Sequence, residues 1–83
     1  MTVRLTSDLH ADDGDKVWGV WYWGDKLIEI EARAALSVQW QALEHERCHV
    51  TLDATGVAQT LTVEQAEAVC DAVATARMRE RFG

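Results

Sequence analysis

His45-Glu46-Arg47-Cys48-His49 is an HExxH motif and holds two of the chain's three histidines. On a helix, residues i and i+4 lie on one face a turn apart, so both imidazoles can address a single ion. Glu46 follows about 100° further round the helix, within reach of a water at that ion without being a ligand. This is the arrangement read as a zinc site with a carboxylate base. The reaction class it points to is metal-assisted hydrolysis of an amide, a peptide bond first of all.

A catalytic zinc usually takes three protein ligands, and two imidazoles leave it one short. Glu67 is the best candidate for the third. It belongs to the stripe Val63, Ala66, Glu67, Cys70, Val73, Ala74, and an ionised carboxylate among small apolar residues needs a cation. Glu64 and Asp53 are alternatives at similar helical spacing. Asp71, one turn beyond Glu67, can accept a hydrogen bond from an imidazole N–H, which fixes the ring and strengthens it as a ligand. Glu46 would then take a proton from water and later pass it to the leaving amine.

The elements that must position these groups divide into a β half and a helical half. Residues 2–5 read as a short strand, and residues 7–16, with four aspartates around Gly14, as a turn region. Residues 17–23 are aromatic and β-branched, Gly24-Asp25 is a two-residue hairpin signal, and residues 26–31 alternate strictly. In that alternation Ile28 and Ile30 share one face and Glu29 and Glu31 the other. Helix signals begin at Ala32, or at Ser37 as N-cap, and run to Ala54 with Gly56 just beyond the end. Val38, Ala42, His45, His49 and Leu52 form its inward stripe, beside Trp40 and Leu43. Thr62 and Gln65 form a capping-box pattern for a second helix over residues 63–81. The expected fold is α+β: a small antiparallel sheet of two or three strands packed on two helices, in a single domain spanning residues 1–83. Trp18, Trp21, Trp23 and Trp40 are expected to supply core bulk.

Composition narrows the partners. With 8 Lys and Arg against 14 Asp and Glu, the net charge is −6 and the pI about 4.8. Nucleic acid and anionic membrane surfaces are therefore disfavoured, and the trio Arg77, Arg79 and Arg81 reads as a helix end complementing its dipole. No apolar run approaches a membrane span, no signal peptide is evident, and two cysteines do not make a disulfide framework. Cytoplasmic residence with Cys48 and Cys70 reduced is the expectation. A chain this small has a limited core, so a metal joining two helices would also serve as a staple.

The HExxH at 45–49, followed on the next helix by Glu67-Ala68-Val69-Cys70-Asp71, resembles the gluzincins, HExxH metallopeptidases with a following ExxxD. The size is more similar to minigluzincins and to ImmA/IrrE-type peptidases, and the resemblance covers roughly residues 17 to 80. It implies a zincin-like minimal domain with Zn2+ held by His45, His49 and Glu67, supported by Asp71, and with Glu46 catalytic. It also implies that a strand before the active-site helix is the edge along which a peptide or protein substrate lies extended, here Leu27–Glu31. Family members stabilise the oxyanion with a His or Tyr, for which Tyr22 and His10 are the residues available. The alternative is a non-enzymatic or latent zinc-stabilised interaction module.

Overall fold

The structure is a computed structural model that describes residues 1–82. Three strands, β1 (Thr2–Thr6), β2 (Gly19–Tyr22) and β3 (Leu27–Glu31), precede two helices, α1 (Leu36–Thr55) and α2 (Val63–Phe82). The fold is α+β, as the periodicities require. The sheet, however, is mixed rather than antiparallel. Its order is β1-β3-β2, with β2 antiparallel and β1 parallel to β3. Parallel pairing follows from the connection after β1, a polar segment that crosses the sheet face before β2 starts on the far side of β3. Leu9, within that segment, is buried.

The hairpin between β2 and β3 is wider than its sequence signal. Residues 23–26 form the turn, Lys26 takes a left-handed conformation (φ 52°), and its N–H reaches the Trp23 carbonyl at 3.4 Å. β2 is accordingly shorter than the aromatic run. Trp18 and Trp23 fall outside it and are exposed, while Trp21 and Trp40 are half-buried, so only two of the four tryptophans contribute to the interior.

Ile28 and Ile30 point at α1 and form the centre of the core with Ala42, flanked by Trp21, Leu43 and Val50. The opposite face of β3 carries Glu29 and Glu31, which are buried instead of solvated. Glu29 accepts hydrogen bonds from Thr6 Oγ1 and from Arg4. Glu31, only 1 % exposed, accepts backbone N–H groups from Asp8 (3.2 Å), Leu9 (2.9 Å) and Arg33 (3.0 Å). One carboxylate thus ties the crossing segment and the start of the β3–α1 turn to the central strand. Charge-assisted bonds of this kind offset the desolvation that a buried carboxylate suffers.

α1 begins later than its first helix signals, with Ala35 as N-cap and no side-chain cap. The preceding turn is held by Gln39, whose side chain donates to the carbonyls of Ala32 and Ala34. Gly56, in the left-handed region at φ 79°, ends the helix. A 3-10 turn, Val57–Thr60, leads to Thr62, which forms the reciprocal capping box with Gln65 (2.8 and 3.0 Å). α2 then packs on α1 through Cys70 and Ala74. At its end Arg81 lies 4.1 Å above the Trp40 ring and approaches the buried Glu44, which Arg47 also contacts. Cys48 and Cys70 are free thiols. Among the described residues no helix is long and apolar enough to cross a membrane.

The glutamates of β3 set the acid limb of stability. Hydrogen bonds, from Thr6 first for Glu29 and from the Arg33 N–H first for Glu31, hold both carboxyls below their ordinary 4.5. A lowered folded pKa contributes stability that is complete above the unfolded pKa and is lost as pH falls through the folded value. Thermal melts of Glu31→Gln should therefore show a lower midpoint than wild type at pH 7 and a gap that narrows below pH ~4.

Candidate metal centre

α1 presents His45 and His49 one turn apart, with ring centroids 4.9 Å apart and edge-on. Their Nε2 atoms are 3.2 Å from each other. α2 brings Glu67 across, with Oε2 at 3.0 Å from His45 Nε2 and Oε1 at 2.8 Å from His49 Nε2. Asp71 Oδ1 stands 2.9 Å behind His45 Nδ1. His45, His49 and Glu67 form the one group of candidate metal donors among the described residues.

The donor chemistry fits a cation. With its proton on Nδ1, toward Asp71, the imidazole of His45 would offer the Nε2 lone pair to a cation, and Glu67 offers a carboxylate oxygen to the same space. On a tetrahedron with zinc–ligand distances near 2.0–2.2 Å, ligand atoms lie about 3.3–3.5 Å apart. The separations of 2.8–3.2 Å here are a few tenths of an ångström shorter. Small outward shifts of the side chains would open them to that size.

Glu67 is not the buried carboxylate that its stripe suggested. It is half-exposed, because α2 turns Cys70 and Ala74 inward and leaves Glu67 at the mouth between the helices. Asp53, an alternative ligand, accepts the Trp21 indole N–H at 2.7 Å, and Glu64 is exposed in the first turn of α2 outside the donor group. Tyr22 and His10 lie elsewhere. Tyr22 is raised above its ordinary pKa by burial and by its hydrogen bond to Glu29, on the sheet face away from α1. His10 contacts the Asp8 carbonyl.

A cavity of about 470 Å³ opens beside the histidines and is lined by Trp18, Gly19, Val38, Gln41, Ala42 and Glu46 as well as by His45, Glu67 and Asp71. Glu46 sits on its inner wall, where burial first, and the negative charge of Glu67, push its pKa up to about 7 against the opposing pull of His45. Gly19 is the residue that sequence reasoning missed. A Cβ there would lie 3.2 Å from Glu46 Cγ, 3.2 Å from Ile30 Cδ1 and 3.3 Å from Ala42 Cβ. A glycine inside a strand pattern signals such a close approach, and that cue was available in the sequence.

β3 is not an edge. It is hydrogen-bonded to β1 on one side and to β2 on the other, so the expected substrate strand Leu27–Glu31 has no free backbone. The free edge beside the cavity belongs to β2. The Glu31 N–H bonds the Trp18 carbonyl, and Val20 lies opposite Glu29, so the even-numbered residues of β2 face β3. Gly19 and Trp21 therefore turn their N–H and C=O groups outward.

Two outcomes follow for the metal-free protein. A carboxyl with a raised folded pKa contributes stability present below the unfolded value and lost as pH rises through the folded one. Glu46→Gln should therefore stabilise the fold above pH ~7 by roughly 2 kcal/mol and leave it little changed below pH ~4, read from denaturant midpoints. Gly19→Ala should cost about 1–2 kcal/mol by overpacking, and zinc titration should find affinity within a factor of ~3 of wild type. No protein-family model matches the chain, and no curated protein or solved structure matches it.

Proposed function

We propose that the protein is a zinc-dependent peptide hydrolase of minimal gluzincin type. The observation that carries this reading is the convergence of His45 Nε2, His49 Nε2 and the Glu67 carboxylate within 3.2 Å, with Asp71 behind His45 and Glu46 beside the site. His45, His49 and Glu67 would hold the zinc, which when bound would supply the positive charge to polarise a carbonyl and acidify a water. Asp71 keeps the proton of His45 on Nδ1 and so keeps Nε2 available as a donor. Glu46, on the wall of the cavity beside the three donors, takes a proton from water on its carboxylate and returns it to the amide nitrogen that leaves. The outward N–H and C=O groups of Gly19 and Trp21 bind an extended peptide by strand addition along β2, which carries the substrate past the cavity. The acidic surface, with its net charge of −6, argues against a nucleic-acid substrate. The free thiols of Cys48 and Cys70 fit a reducing compartment, the cytoplasm.

The second reading, a zinc-stabilised interaction module or latent peptidase, is favoured by one feature. Neither Tyr22 nor His10 lines the cavity, so the neutral side-chain donors on its wall are Trp18 and Gln41. Loss of an oxyanion donor costs on the order of 10²–10³ in rate where it has been measured.

Metal analysis and peptide digestion separate the readings. Purified wild-type protein should carry near-equimolar zinc, His45→Ala should lose it, and Asp71→Asn should weaken zinc affinity roughly 10–100-fold. Glu46→Gln should keep zinc and lower peptide cleavage about 10²–10⁴-fold. A wild type without zinc overturns both readings. Zinc-loaded wild type as inactive as Glu46→Gln selects the module.

A further inference from the structure

We propose that β1 is a self-association edge, through which two copies of the chain pair antiparallel and join their sheets into one six-stranded sheet. β1 is the outer strand opposite β2, so this surface lies on the far side of the sheet from the candidate metal centre. The Thr2 N–H bonds the Lys26 carbonyl, and the Ala32 N–H bonds the Thr6 carbonyl. The even-numbered residues of β1 therefore face β3, and Val3 and Leu5 direct their N–H and C=O groups outward from the sheet.

The same two residues expose their side chains, Val3 at 47 % and Leu5 at 60 %, on the face that carries α1. There they border an apolar groove of about 140 Å³ formed with Ile30, Leu36, Trp40 and Leu43, and Leu36 is 68 % exposed. β1 has no proline, and its one charge, Arg4, is paired with Glu29 at 3.1 Å on the opposite face.

A second copy fits this surface better than an isolated strand. Antiparallel pairing with Val3 of each copy opposite Leu5 of the other satisfies the outward backbone groups reciprocally. It also sets the two Arg4 side chains across from each other on the far face, each neutralised by its own Glu29. The second copy brings its own α1 over the same face of the joined sheet, so Leu36 and Trp40 from both copies close over the groove. The groove lining carries no charge, so two chains of net charge −6 meet at a neutral patch. The surface covered is small, the exposed side chains of Val3, Leu5 and Leu36 around the groove, which fits reversible rather than obligate pairing. A reversible dimer with a dissociation constant of about 10–100 µM is the expected result.

Sedimentation of wild-type protein between about 1 µM and 1 mM should show a monomer–dimer equilibrium in that range. Val3→Pro removes an outward N–H without removing an internal bond, and Leu5→Lys places a charge on the edge. Each should raise the dissociation constant at least tenfold, whereas Val63→Lys, at an exposed position on α2, should leave it unchanged. Independently of any variant, hydrogen exchange at the Val3 and Leu5 amides of wild type should slow as concentration rises. A wild type that stays monomeric to 1 mM overturns the proposal, as does a dimer unaffected by either variant or amide exchange independent of concentration. A monomer that instead takes up a strand-forming apolar peptide overturns it as well, and assigns the edge to a peptide partner.

Discussion

The candidate metal centre depends on how closely α2 can approach α1. Cys70 and Ala74 are the fully buried residues of α2, and both are small. Their size lets the helices come near enough for Glu67 and Asp71, from one turn of α2, to reach both imidazoles of α1. The Glu67 carboxylate spans both rings, with one oxygen 3.0 Å from His45 Nε2 and the other 2.8 Å from His49 Nε2. A cation between the three donors would in turn hold the helices together, so packing and metal binding support the same geometry.

The sheet meets the helices through an equally spare contact. Ile28, Ile30 and Ala42 are the buried centre, and Gly19 lies against Ala42 and Glu46 because it has no side chain. The face of β3 away from the helices uses carboxylates where a larger protein would use a second apolar layer. Glu31 gathers three backbone N–H groups and so fixes the crossing segment that makes β1 parallel to β3. A domain of this size has few apolar residues available for two cores, and a hydrogen-bonded carboxylate can hold a segment without one.

The two outer strands differ in consequence. β2 offers its free backbone beside the cavity, where Gly19 and Glu46 share a wall. β1 offers its own at the other side, next to an uncharged groove. Their separation by β3 means that a peptide at β2 and a second copy at β1 would not compete for the same backbone groups.

Much of this was legible in the chain before any coordinates. The i, i+4 histidines, the ExxxD residues, the capping box at Thr62 and the terminating Gly56 are local patterns, set by helical periodicity and by the few conformations that each residue type tolerates. The alternation of β3 likewise separated Ile28 and Ile30 from Glu29 and Glu31. It did not tell that the glutamate face would be buried, because alternation reports that two faces differ and not what covers each.

What the sequence determined, then, is the inventory of elements and which residues share a face on each of them. Only the tertiary structure decided that β3 is central, that β1 runs parallel to it, that Glu67 is half-exposed and that Gly19 borders Glu46. These are relations between segments distant in the chain, which depend on which neighbour covers which face, and no local preference encodes them.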